Sequence, residues 1–357
     1  MLRSSNTASH KDGSTVFNKK FDKKLWIGFG ISIFFLVFLF RKIDFGKLVA
    51  ALGEMDYRYL LPAVLLTFIS YYFRAVRWKY LLLPMKKTVM RNLFPATVIG
   101  YMANNLLPAR LGEFIRAYIL AEKEQLEPSA VFATLVLDRL FDGFTVILIL
   151  MITFFTVKLP PGMEKVQHGL EVGGYVTLTF YIAVILFIVL LKKQTNRTLN
   201  LTARLLKPFP VKVSEKIIPV LGSFIEGLRL SSRPKDLYIL FMSSLVIWAF
   251  AVYALDMVLC AFGIFLPVTA SMFIMVFLVF AVMIPASPGY VGTYHAACVY
   301  GLMAFNVQRE KALSIALIVH GVNFFPVIFL GLWFLWRDKL SLTEVQEKSS
   351  QQGDVSE

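Results

Sequence analysis

Five stretches of the chain, 59–83, 130–157, 171–191, 237–262 and 312–336, are almost continuously apolar, and each is long enough to cross a bilayer of roughly 30 Å as a helix. A sixth apolar run, 25–40, is closed by Arg41 and Lys42 and follows a polar segment, 1–24, with six Lys/Arg and no small-residue cleavage signal. That pattern predicts an uncleaved signal anchor with a cytoplasmic N-terminus. Two further regions, 93–123 and 267–305, are apolar but interrupted by proline and glycine, and the second half of the first is too charged to face lipid. Segment 211–230 spaces Val213, Ile217, Val220, Leu221, Phe224 and Leu228 at roughly helical intervals, which suits a helix lying on the inner membrane surface. The expected fold is all-α: a polytopic helical membrane domain over 25–336, with about six full spans and two broken-helix hairpins, and a polar tail, 341–357, without stable structure.

The two interruptions repeat each other. LLPARL at 106–111, followed by Gly112 and Glu113, is echoed 177 positions later by MIPASP at 283–288, followed by Gly289. Pro108, Gly112, Pro285, Pro288, Gly289 and Gly292 are therefore read as structural breaks, at matching places in two units, 59–157 and 237–336. Charge sets the direction of each unit. If 93–107 crossed the membrane alone, the loop 192–235 would lie outside with its ten Lys/Arg, against the positive-inside tendency. A hairpin entering from the cytoplasm restores the rule and makes the two units run in opposite directions; only loop 41–58, with four basic residues, fits poorly. Chance recurrence of a short motif is the plain alternative, and the matched spacing with opposed orientation argues for an inverted repeat. Both termini are then cytoplasmic, in the cell's inner (cytoplasmic) membrane.

Composition agrees with the pattern. Hydrophobic residues make up 57% of 357, 33 are Phe, and the mean hydropathy is +0.66, more apolar surface than a soluble core could hide. The net charge of +14 lies mainly between the spans, where it meets anionic headgroups, so nucleic acid is not an expected partner. Cys260 and Cys298 fall in apolar spans and read as core packing. There is no Walker loop, no Cys/His cluster and no nucleophile elbow, and the largest loop is too short for a catalytic domain. No cofactor, metal or catalytic residue is expected.

The polar residues within apolar segments mark the candidate site. Asp138 and Asp142 share one helical face with Arg139 beside them. Intramembrane ionisable groups point to function, although an Arg139–carboxylate pair that only pins helices together is a rival reading. Asn104, Asn105, Arg110, Glu113 and Arg116 flank the first break, where an interrupted helix exposes backbone N–H groups suited to a phosphate. Ser287 and His295 flank the second break. His320 follows Pro285 by 35 residues as Asp142 follows Pro108 by 34, which would aim both at one cavity; a lone histidine satisfied by a carbonyl is the simpler expectation. Arg74, Arg77 and Lys79, beside Trp78 and Tyr80, read as snorkelling to the cytoplasmic interface rather than contacting substrate.

Three ordered motifs carry a resemblance: NNLLPARLGE at 104–113 with Arg116, Asp138-Arg139, and PASPGYVG at 285–292. Together they resemble the transmembrane region of lysylphosphatidylglycerol synthases and related flippase-like proteins, over about 25–336. The resemblance implies a translocator of lipids with a phosphate-bearing, aminoacylated or glycosylated headgroup. Its partners would be anionic or isoprenoid-phosphate lipids and a separate lipid-modifying enzyme. The family's synthases carry a soluble aminoacyl-transfer domain after this region, so this chain is not expected to make lysyl-lipid itself. Where the family motif reads Pro-Gly-Gly-x-Gly-x-x-Glu, Tyr290 replaces the second of those glycines and His295 the glutamate, removing a carboxylate that would hold a cationic headgroup or a coupling proton. A membrane-embedded lipid transferase using Asp138 or Asp142 as base, and a non-transporting scaffold of an envelope complex, are the alternatives.

Overall fold

A computed structural model describes residues 45–107, 111–157, 164–208, 211–283 and 288–340. These residues form twelve helices and no strands. In order they are α1 (Phe45–Gly53), α2 (Leu60–Leu82), α3 (Met90–Leu106), α4 (Gly112–Glu124), α5 (Pro128–Thr156), α6 (Glu164–Lys193), α7 (Thr195–Leu205), α8 (Val211–Gly227), α9 (Pro234–Ala261), α10 (Val268–Met283), α11 (Thr293–Met303) and α12 (Arg309–Arg337). The chain is an all-α polytopic membrane protein.

The five described apolar stretches fall on α2, α5, α6, α9 and α12, and four of these helices are long and apolar enough to span a bilayer by themselves. The exception, α5, carries Asp138, Arg139 and Asp142. The segment 25–40 lies outside the described residues. So do 108–110, with Pro108 and Arg110, and 284–287, with Pro285 and Ser287. Both interruptions nonetheless separate helices as the proline-glycine pattern predicts: α3 from α4, and α10 from α11, the latter through a 3₁₀ turn over Pro288–Tyr290. Local signals set the other boundaries. Pro128 and Pro234 open α5 and α9, where a missing N–H costs nothing, and Gln125 in the left-handed region (φ 52°) closes α4. The amphipathic segment 211–230 forms α8, which packs against α5; Gly227 lies so close to the Ala130 carbonyl that a Cβ there would sit 2.2 Å from its oxygen.

Helices α2 and α9 form the central pair and run antiparallel. The Asp56 N–H, just before α2, donates to the Ala261 carbonyl at the end of α9 (2.8 Å), Ser70 donates to the Ile247 carbonyl at mid-helix (3.2 Å), and Arg77 reaches Ser244 (3.0 Å). Ser70 and Ile247 are 177 residues apart, the interval that separates the two breaks. The packing obeys the same exchange. Helix α2 touches α3 as α9 touches α10, α3 touches α4 as α10 touches α11, and α4 touches α5 as α11 touches α12; crosswise, α3 packs on α12 as α10 packs on α5. Each hairpin thus leans on the last span of the other unit. One buried apolar cluster, centred on Trp78, Leu93, Ile99 and Ile119, belongs mainly to the first unit, and a second, centred on Leu259, Phe273, Leu302 and Leu313, mainly to the other. Helix α6 stands outside this arrangement, with none of its apolar window buried inside the molecule.

Candidate functional site: an arginine-walled cavity between the two units

The mid-helix charges of α5 are met by arginines from three directions. Asp138 is fully buried and accepts from Arg77 Nε of α2 (2.7 Å) and Arg116 Nη1 of α4 (3.3 Å). Asp142, one turn along, accepts from Arg77 Nη2 (2.9 Å), Arg139 Nη1 (3.0 Å), Arg74 Nη1 (3.3 Å) and the indole N–H of Trp248 on α9 (3.2 Å). Arg139 also pairs with Glu113 (3.2 Å), which accepts from the Asn104 amide (3.3 Å). The Tyr101 hydroxyl accepts from both Arg74 (2.9 Å) and Arg139 (2.8 Å). Arg116 lies 4.0 Å above the Trp78 ring, a cation–π contact that replaces hydration its buried guanidinium has lost. Among the described residues this network holds Arg74, Arg77, Arg116 and Arg139 against Glu113, Asp138 and Asp142, a balance of one positive charge.

Arg77 and Arg74 overturn the expectation that they snorkel to the interface. Arg77 has no exposed surface, and both bond carboxylates at the middle of α5. The Arg139–carboxylate pairing of the rival reading is present, to Asp142 (3.0 Å), Asp138 (3.6 Å) and Glu113 of α4 (3.2 Å), but Arg77 and Arg116 make the closer contacts to Asp138, and Arg139 keeps 37% of its side-chain surface open. Sequence spacing along α5 could not reveal this, because the partners come from α2 and α4.

Arg74, Arg139 and Asp142 form one wall of a cavity of about 450 Å³, joined by Tyr101 and Asn105 of α3. Met275, Leu278, Val279 and Phe280 of α10 make an apolar wall, backed by Val146 of α5 and Trp248 of α9. The remaining wall comes from the second break and α11–α12: Tyr290, Tyr294, His320, Asn323 and Phe324. Thr177 and Tyr181 of α6 reach the rim, and the Tyr181 hydroxyl donates to the Arg139 carbonyl (3.1 Å) over Gly143. Asp142, Trp248 and His320 sit near the midpoints of their helices, so the cavity lies about halfway along α5, α9 and α12, and Asp142 and His320 both line it.

Residues flanking the two breaks meet beside this cavity. Gly289 (φ 73°) and Gly292 (φ 93°) hold backbone conformations that favour glycine, and a Cβ on Gly289 would lie 2.9 Å from the Phe324 ring and 3.6 Å from the Asn105 carbonyl. Gly112 is constrained by contact instead: its Cβ would fall 2.0 Å from the Gly100 carbonyl oxygen. His295, the third residue of α11, accepts from the Gly292 N–H through Nδ1 (3.3 Å), the capping role a glutamate performs at this position. Its Nε2 meets His320 Nδ1 at 3.0 Å, and His320 also hydrogen-bonds the Gly289 backbone. His320 is thus one of a linked pair rather than a histidine satisfied by a carbonyl alone. With Nδ1 of His295 accepting, its neutral ring carries the proton on Nε2 and donates it to His320.

The expected site residues therefore separate. Asn105, Arg139, Asp142 and His320 line the cavity; Asn104, Glu113, Arg116, Asp138 and His295 stand behind them and hold their positions; Arg110 and Ser287 lie outside the described residues. Among the described residues no group of His, Cys, Asp or Glu has the arrangement of a metal site.

Comparison with known proteins places this architecture. The family model described as the lysylphosphatidylglycerol synthase transmembrane region matches residues 25–331. The chain belongs to that family. It is 24% identical over 297 residues to a UPF0104 membrane protein of Methanothermobacter thermautotrophicus, covering 80% of this chain and 87% of that one. Another UPF0104 membrane protein, from Pyrococcus horikoshii, is 26% identical, covering 89% and 98%. Glycosyltransferase AglD of Haloferax volcanii is 22% identical over 92% of this chain, a match that spans only 56% of that protein. No solved structure matches the chain.

Proposed function

We propose that the protein is a lipid translocator that carries a phosphate-bearing headgroup through the cavity between its two units. The observation that carries the reading is a cavity halfway along the long helices, with arginines on one wall and an apolar helix on another, bounded by two units whose central helices run antiparallel. Arg74 and Arg139 would neutralise the phosphate, and the apolar wall of α10 would accept the start of a lipid chain. The exchangeable packing of the units supports an inverted repeat, in which the halves swap conformations and so change the side on which the cavity opens. Anionic or isoprenoid-phosphate lipids of an inner membrane are the proposed cargo, supplied by a separate lipid-modifying enzyme, and the charge distribution supports cytoplasmic termini.

The family and the name of one relative as a glycosyltransferase point to lipid chemistry in a membrane, and a transferase using Asp138 or Asp142 as base is the second reading. The geometry favours it less. Asp138 is fully buried and does not line the cavity, and Asp142 already accepts from three arginines and Trp248, so neither is free to take a proton from a substrate hydroxyl. Purified protein in vesicles, with headgroup-labelled phosphatidylglycerol in one leaflet, tests the proposal. Transfer between leaflets should exceed that of protein-free vesicles and be lost in Arg139→Ala. Transfer no faster than in protein-free vesicles would refute it.

A further inference from the structure

The charge balance of the cavity also restricts the headgroup, an inference that rests on the reading just given. Every described carboxylate near the cavity is committed: Asp142 to three arginines and Trp248, Asp138 to Arg77 and Arg116 behind the wall, Glu113 to Arg139. Among the described residues, four arginines against these three acids leave one positive charge on the wall of a cavity within the protein, where it repels a cation and attracts an anion more than the same charge would in bulk water.

The opposite wall could have corrected this and does not. His295 stands at the N-terminal turn of α11, and both of its ring nitrogens are engaged, Nδ1 by Gly292 and Nε2 by His320. The ring keeps the cap that a carboxylate would have made, without its charge. What this wall offers is neutral: the His320 ring, 5.1 Å from that of Tyr294, the amide of Asn323, and the Tyr290 and Tyr294 side chains. Aromatic faces suit the C–H faces of a polyol ring, and amide and hydroxyl groups match its hydroxyls.

We propose that the cavity selects a lipid whose headgroup joins a phosphate to a neutral, hydroxyl-rich substituent, and that the His295–His320 pair, standing where a carboxylate would serve a cation, excludes aminoacylated headgroups. The phosphate faces Arg74 and Arg139, and the hydroxylated part faces Tyr294, His320 and Asn323.

The test is binding, measured on the detergent-solubilised full-length protein by native mass spectrometry with phosphatidylinositol, phosphatidylglycerol and lysylphosphatidylglycerol as probes. Both anionic lipids should bind at least about tenfold more tightly than the lysyl lipid, with phosphatidylinositol the tightest. Two variants isolate the charge at His295, because Gln and Glu both keep the capping acceptor and differ by one charge. His295→Gln should keep the preference and His295→Glu should narrow or reverse it. Arg74→Ala should weaken the anionic lipids while leaving the lysyl lipid little changed. Equal or tighter binding of the lysyl lipid by wild-type protein overturns the proposal, as does a preference that Arg74→Ala leaves intact, which would locate it outside the cavity. Should His295→Glu fail to fold, the wild-type and Gln affinities decide. Failure of leaflet exchange with this binding order intact would remove translocation and leave the specificity standing.

Discussion

Arg77 is the residue whose loss should separate holding the helices together from handling a ligand. It bridges α2 to both carboxylates of α5 at 2.7 and 2.9 Å and to Ser244 of α9 at 3.0 Å, with no surface exposed. Arg77→Gln removes two hydrogen bonds to carboxylates, each worth about 1.5–3 kcal/mol, and the one to Ser244. Asp138 retains Arg116, and Asp142 retains Arg74 and Arg139, so the loss should fall near the low end of the roughly 3–5 kcal/mol for breaking a buried ion pair. About 3 kcal/mol is a large share of a total stability of roughly 5–15 kcal/mol. Arg139→Gln, by contrast, loses contacts that are partly open to the cavity, and solvent screening reduces their worth to about 1 kcal/mol. Membrane abundance and thermal unfolding in detergent would be compared for both variants, with leaflet exchange measured at matched abundance. We expect Arg77→Gln to be scarce and unstable, and Arg139→Gln to be abundant and inactive. A double variant, Arg77→Gln with Asp138→Asn, should recover at least about 1 kcal/mol relative to additivity, because the two side chains are in direct contact. Equal stability of the two single variants, or the reverse order, would refute the division of labour.

Three further outcomes are expected. Gly112→Leu and Gly289→Leu should both reduce folded protein and lipid movement, the first by collision with the Gly100 carbonyl and the second by its positive φ and the Phe324 ring, while Gly53→Leu, with open space around it, should be silent; one site accepting leucine freely would break the equivalence of the breaks. Single cysteines at 200 or 212 should be protected from an impermeant maleimide in intact cells, and labelling there would sink the cytoplasmic hairpin topology. Burial raises the affinity of Asp338, just beyond α12, for its proton, but hydrogen bonds from Arg337 and Lys123 outweigh it and hold the carboxyl below the usual carboxylate range. The stabilisation this gives is present above a pH of about 4 and lost as pH falls through the lowered value, at most about 1 kcal/mol for a partly buried cluster at the molecular surface; Asp338→Asn should therefore be slightly less stable than wild type at pH 7, and the difference should vanish at low pH.

Much of the fold was legible in the chain because lipid imposes a one-dimensional rule: a helix that faces hydrocarbon must be apolar along its whole length. Residues 237–262 and 312–336 could be read as spans from composition alone, and they are α9 and α12. The two breaks were legible for a related reason, since proline and glycine disrupt a helix locally wherever they sit. Arg77 was not legible. Near the end of an apolar span and beside Trp78, it has the local signature of an interfacial anchor, and only the antiparallel packing of α2 on α9, with α5 alongside, brings it to Asp138 and Asp142. The same holds for His295 and His320, 25 residues apart on different helices, which become a hydrogen-bonded pair only when α11 folds against α12.

The sequence by itself determined that this is a helical membrane protein, where its long apolar helices lie and where two regions break, and that charge is buried near residues 138–142, because these follow from local hydropathy and backbone chemistry; the short helices α1 and α7, in what reads as loops 41–58 and 192–235, were not legible. The tertiary structure decided which charges neutralise one another, that one positive charge is left over among the described residues, and that residues flanking each break, Asn105 and Tyr290, line one shared cavity. Those are properties of distance between residues remote in the chain, and Coulomb and hydrogen-bond energies depend on that distance rather than on sequence separation.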